Sequence, residues 1–155
     1  ELFRLSFGLD IVHVPFSGAG PALESTVGGH TRLAFSSLPA AVPLVKGGAL
    51  RALAVTSPTR VGALPDVPTM AEAGAPGQEA ETLLFVMFPA GTPPDIVTSV
   101  YRTIEKIVQE QDIVARFDSL GFHPMHTNPA ESEARIKQEV AKWAKVIHDA
   151  KIQQR

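Results

Sequence analysis

The residues of this chain best placed to do chemistry carry no charge. The stretch His13-Val-Pro-Phe16-Ser17-Gly18-Ala19-Gly20-Pro21-Ala-Leu23 sets a hydroxyl, two glycines and several backbone amides between an apolar run and a proline. Glycine turns the backbone sharply and lets a ligand come close to it. Free N–H groups at the partly positive start of a helix attract a carboxylate or phosphate. A second loop, Ser36-Ser37-Leu38-Pro39, has the same character, and Thr56-Ser57 adds two more hydroxyls. Neither loop contains Asp, Glu, Lys or Arg. The chemistry on offer is therefore capture of an anion by N–H and O–H donors, using helix dipoles in place of a point cation. Serine is also common in turns for purely structural reasons. On geometry alone a binding surface and a pair of ordinary strand–loop–helix turns stand as equal readings.

Other chemistries find less support. Ser36 could be a hydrolase nucleophile, but it lacks a Gly-x-Ser-x-Gly elbow and no His or Asp is placed by sequence to activate it. His123 and His126 are separated by Pro124, and no third metal ligand is evident. Gly18-x-Gly20 lacks the third glycine of a dinucleotide fingerprint. No metal or cofactor site follows. The absence of cysteine excludes disulfide and thiolate chemistry. A formal net charge of −2 offers no basic patch for nucleic acid, and no apolar run is long enough to span a bilayer.

The elements that must position these loops follow from punctuation. Glu1 to Phe7 reads as the last turns of an amphipathic helix closed by Gly8. With no initiator methionine before it, the chain is expected to be a fragment whose upstream part, including any targeting segment, was removed. Strands are expected at 11–14, 32–35, 50–56 and 83–88, each rich in apolar residues. The spacing predicts a helix from Pro21 to Val27 stopped by Gly28-Gly29, and a short or bent one from Pro39 to Lys46 with Pro43 inside, stopped by Gly47-Gly48. Residues 57–81 are rich in Pro, Gly and Ala and could be a linker, but Thr69-Met-Ala-Glu72 is a capping box and predicts an ordered turn. Three helices complete the chain: one capped by Thr92 with Pro93 first, one from about Asp112 closed by Gly121, and a long one opened by Asn128-Pro129-Ala-Glu131. Alternating strands and helices at this spacing predict an α/β fold with a parallel sheet and right-handed crossovers. In such a sheet, ligands bind beyond the carboxyl ends of the strands, where both serine loops leave.

The chain resembles the extracytoplasmic solute receptors of tripartite tricarboxylate transporters, the Bug family, nearly end to end. The resemblance rests on Val14-Pro-Phe-Ser-Gly-Ala-Gly-Pro-Ala-Leu23, Leu38-Pro39, Val45-Lys-Gly-Gly48 and Leu50-Arg-Ala-Leu-Ala-Val-Thr56. It continues through Leu64-Pro-Asp-Val-Pro-Thr69, Glu72-Ala-Gly74 and Pro89-Ala-Gly-Thr-Pro93. It implies a type II periplasmic-binding-protein fold. Residues 1–84 would form a ligand-binding lobe incomplete at its N-terminus. Residues 85–155 would supply a crossing strand and C-terminal helices that in full-length relatives pack partly on the other lobe. The implied function is non-enzymatic, cofactor-free capture in the periplasm of a small organic acid or amino-acid-like solute, for delivery to membrane permease subunits. Phe16, Ser17, Gly18, Ala19, Gly20, Pro21, Ser36, Ser37, Leu38 and Leu84 would line the cleft. The chain departs from the family where it has Phe16 and Ser17 for a usual tyrosine and frequent lysine, and Ser36-Ser37 for a frequent Asp-Asn. It also has Leu83-Leu84-Phe85 where an aromatic pair followed by glycine is common. Ligand identity therefore does not carry over. A strand edge left unpaired by truncation is expected to dimerise or swap elements. The competing readings are an effector-sensing domain of a transcriptional regulator, a small serine hydrolase, and a swapped oligomer with no surviving ligand site.

Overall fold

The computed structural model describes residues 1–152. Six helices follow one another: α1 (Leu2–Phe7), α2 (Ala19–Val27), α3 (Leu38–Lys46), α4 (Pro94–Ile107), α5 (Gln111–Leu120) and α6 (Pro129–Asp149). The chain divides into two units. One holds Glu1–His13, Phe88–Ile107 and Met125–Arg155, hence α1, α4 and α6. The other holds Val14–Met87 and Val108–Pro124, hence α2, α3 and α5.

Helix ends fall largely where punctuation puts them. Gly8 and Gly121 close α1 and α5 in the left-handed conformation, at φ 58° and 75°. Asn128 and Glu131 form a complete capping box at the start of α6. Gly28-Gly29 and Gly47-Gly48 end α2 and α3 by the same device. In each pair the first amide reaches back four residues (Gly28 N–H to Glu24 O, Gly47 N–H to Pro43 O), and the second glycine turns to positive φ.

Two starts differ from expectation. α2 begins two residues early, so Pro21 is its third residue and not its first. Proline is tolerated there because the first four N–H groups of a helix have no intrahelical partner. α4 begins at Pro94. The Thr92 hydroxyl does not cap it, donating instead to the Pro89 carbonyl at 2.8 Å.

The expected parallel sheet is the main correction. Among the described residues, β pairing is confined to an isolated parallel bridge between Val55 and Thr69. Val55 N–H donates to Pro68 O at 2.8 Å, and Met70 N–H donates to Val55 O at 2.9 Å. The other segments read as strands run without a ladder, and their apolar side chains stay exposed: Val12 86%, Phe35 55%, Leu53 60% and Leu84 76%. An apolar run reports that a segment suits a sheet, whereas a ladder requires a neighbour at hydrogen-bonding distance. Only Val55 has one.

The core lies in the second unit, where Val42, Val61, Ala63 and Leu64 are buried together with Leu38, Val45, Ala52, Val55 and Val67 packed around them. Burying each of the large aliphatic side chains contributes about 2 kcal/mol. Three of the four central residues come from the Pro- and Gly-rich stretch, so it is not a linker. Its capping box forms as expected. Thr69 N–H donates to a Glu72 carboxylate oxygen at 2.8 Å, and Glu72 N–H to the Thr69 hydroxyl at 3.1 Å. In the first unit no residue of α1, α4 or α6 is fully buried. On α6 Val140 is 64% exposed, while the Trp143 indole N–H donates to Glu139 at 2.8 Å.

Candidate functional site

α2 and α3 pack against one another in the second unit, and each opens without help from its own side chains. The residue before α2 is Gly18, which has no side chain to cap with and lies at φ 153°, ψ 179°, a region nearly closed to other residues. The amides of Ala19 and Gly20 have no protein partner among the described residues, and Pro21 has no N–H to offer. The residue before α3 is Ser37, a residue type that often caps, yet its hydroxyl makes no cap bond. Leu38 and Ala40 keep unpartnered amides, with the N–H-free Pro39 between them. Neither first turn contains an acidic residue.

The hydroxyls of Ser17, Ser36 and Ser37 likewise have no hydrogen-bond partner among the described residues. Among the described residues no imidazole or carboxylate hydrogen-bonds to Ser36, as a base activating a nucleophile would. The remaining candidate hydroxyls, those of Thr56 and Ser57, are engaged elsewhere. Thr56 donates to Ala80 O at 2.6 Å, and Ser57 donates to Thr59 O at 2.7 Å. Among the described residues no group of three or more His, Cys, Asp or Glu could hold a metal ion.

The predicted residues divide by surroundings. Phe16, Ser17, Gly18, Gly20, Pro21 and Ser36 are exposed, and Ala19 and Ser37 are half-buried. Leu84 is exposed on the segment after Glu81. Leu38 is different, because it packs on the core and also lies under the end of α5. A methyl group on Gly121 would sit 2.1 Å from Leu38 Cδ2 and 2.8 Å from its Cγ. Gly121 thus positions the first residue of α3 across 83 residues of sequence, a contact with no local signal. The glycines differ too. Added side chains at Gly18 and Gly20 would both meet open space, but only Gly20 has a backbone that other residues adopt freely. A shallow groove of about 530 Å³ lies elsewhere, lined by α4 residues from Pro94 to Lys106. It contains none of the predicted residues, and a single helix face does not enclose a ligand.

Electrostatics near the core are local. The Arg60 guanidinium, 2.9 Å from Glu72, together with the Thr69 amide, holds the Glu72 carboxyl below its ordinary pKa.

Comparison with known proteins supplies what the geometry leaves open. The family model described as "Tripartite tricarboxylate transporter family receptor" matches residues 1–152. The chain belongs to this family. Protein BugT of Bordetella pertussis is 36% identical to this receptor-family chain over 149 residues, covering 96% of it and 46% of BugT. Among solved structures, R. palustris Rpa4515 with adipate matches at a TM-score of 0.85 and 35% identity, over 95% of this chain and 49% of that one. MatC from Rhodopseudomonas palustris with bound malate matches at 0.74 and 29%, over 94% and 51%. The chain thus spans about half the length of the receptors it matches. Periplasmic binding protein BugD matches at 0.78 and 27%, over 98% and 52%, and the resemblance agrees with a type II fold.

Proposed function

We propose that this chain carries the anion-capturing loops of a periplasmic solute receptor that delivers a small organic acid to the permease subunits of a tripartite transporter. The observation that carries the reading is the pair of uncapped helix starts at α2 and α3, each with two free amides, nearby serine hydroxyls and no acidic residue in its first turn. A carboxylate accepts such bonds strongly, because hydrogen bonds to an ionised acceptor are roughly twice as strong as neutral ones. Closure around the ligand would exclude water and strengthen each contact further. The adipate and malate that accompany two structural neighbours make dicarboxylates of four to six carbons the first ligands to try. Phe16 and Leu84 would supply apolar contact to the ligand's methylene chain.

Calorimetric titration of the chain with adipate and with malate tests this. Binding is expected for the wild type and should be lost in Gly20→Val, whose side chain would project into open space beside the free amides. Equal binding by wild type and Gly20→Val would overturn the assignment of the site. No binding of any dicarboxylate by the wild type would overturn capture by this half of the receptor.

A further inference from the structure

We infer that Gly121, at the end of α5, is a positioning residue for ligand capture: through Leu38 it sets the start of α3, and with it the free amides of Leu38 and Ala40. The inference rests on the proposed use of those amides and adds the part of the chain that aims them.

The chain makes a detour to bring Gly121 there. It leaves the second unit at Met87, builds α4 in the first, and returns for Val108–Pro124 before leaving again. The returning segment is largely α5, and α5 packs on α3, the helix that also packs on α2.

The end of α5 is fixed by two backbone bonds. Gly121 N–H donates to Asp118 O at 3.0 Å, and Phe122 N–H donates to Phe117 O at 2.9 Å, with Gly121 left-handed at φ 75°. These are the two bonds of a Schellman motif. Leu38 is pressed against that turn. A Cβ on Gly121 would lie 2.1 Å from Leu38 Cδ2, 2.8 Å from its Cγ and 3.6 Å from its Cβ, and no other glycine of the chain meets a side chain so closely. Rotating the tip of the leucine moves Cδ2 but leaves Cγ in place, so it does not make room for a methyl group.

The start of α3 is the softer partner in this contact. Ser37 makes no cap bond, and the first backbone bond of the helix, from Ala41 N–H to Ser37 O, is long at 3.3 Å. Pro39 has no N–H to add. What anchors this turn is the Leu38 side chain, which packs on the core cluster of Val42, Val61, Ala63 and Leu64 and on Gly121. A methyl group at position 121 therefore displaces the α3 start before it displaces α5.

Amide-resolved NMR spectra of the whole chain and calorimetric titration with adipate test this. Gly121→Asn keeps the left-handed turn at little cost, because asparagine adopts it, but still sets a Cβ against Leu38. In Gly121→Asn and in Gly121→Ala, the Leu38 and Ala40 amide resonances should shift more than those of Ala19 and Gly20. Adipate affinity should fall about tenfold in both, the effect of losing one hydrogen bond to a charged acceptor. Gly121→Ala/Leu38→Ala should return the Ala40 resonance toward its wild-type position and regain affinity over Gly121→Ala, because the methyl group then has room. Wild-type spectra and affinity in Gly121→Asn would show that Gly121 serves only its own turn, and would overturn the inference. A double variant that recovers neither readout would overturn it as well. A wild type that binds no dicarboxylate, with Ala40 still shifted in Gly121→Asn, would uphold Gly121 as the support of the α3 start and overturn the reading of that start as a capture site.

Discussion

α6 and the pair α2 and α3 begin in opposite ways. At α6 the Asn128 side chain accepts from the Glu131 N–H at 3.0 Å, and the Glu131 carboxylate accepts from the Asn128 N–H at 2.9 Å. The turn at Thr69 and Glu72 is closed reciprocally in the same manner. α2 and α3 have no such closure, although Ser37 is a residue that could provide it. A helix start that caps itself is complete. One that does not still has donors to spend, and the proposed function gives them to the solute.

Mutations can break or sharpen this contrast. The largest effect is expected at Gly121, which supports the start of α3. Gly121→Ala meets both a left-handed backbone and the Leu38 side chain, and should destabilise by about 2–4 kcal/mol in denaturant titration. Adding Leu38→Ala should recover part of that loss, because the clash is removed while the backbone strain remains. If the double variant is no more stable than would follow from adding the two single losses, the contact does not govern α3.

A smaller effect should separate the two kinds of helix start directly. Asn128→Ala removes a cap and should cost about 1 kcal/mol, whereas Ser37→Ala should cost close to nothing, because its hydroxyl caps no amide. Equal losses in thermal melts would erase the distinction. At the glycines, Gly18→Val should be destabilised by about 1–3 kcal/mol through its backbone, and Gly20→Val should not be, making it the cleaner probe of binding.

The smallest effect concerns acid. The Glu72 pKa is depressed in the folded chain by Arg60, so the stabilisation is present above the ordinary value of 4.5 and is lost as pH falls through the lower folded value. Melting temperatures of wild type and Glu72→Gln should therefore differ at neutral pH and converge below pH 4.5. The difference will be small, because both side chains are about half exposed.

Local grammar was legible in the sequence, and long-range pairing was not. Asn128-Pro-Ala-Glu131, Thr69-Met-Ala-Glu72, the two Gly-Gly stops and Gly121 all act through neighbours within a few residues, and each forms as read. Pro21 was misread as a first helical residue because proline fits any position of the opening turn that needs no intrahelical donor. The strands at 11–14, 32–35 and 83–88 have the right composition, but nothing in composition states whether a partner lies alongside. Val61, Ala63 and Leu64 were hidden as core by the prolines and glycines around them. The support of Leu38 by Gly121 depends on a contact that no periodicity encodes. At the candidate site, the loops could be found from their residue types. That Thr56 and Ser57 donate within the protein while Ser17, Ser36 and Ser37 do not was visible only in three dimensions.

The prolines at the second and third places of α3 and α2 have one more effect. Each deletes an amide hydrogen from a turn that would otherwise present an unbroken row of them. What is left is a sparse set of contact points, two amides per helix, which is what the proposed capture of a carboxylate would have to use beside the serine hydroxyls.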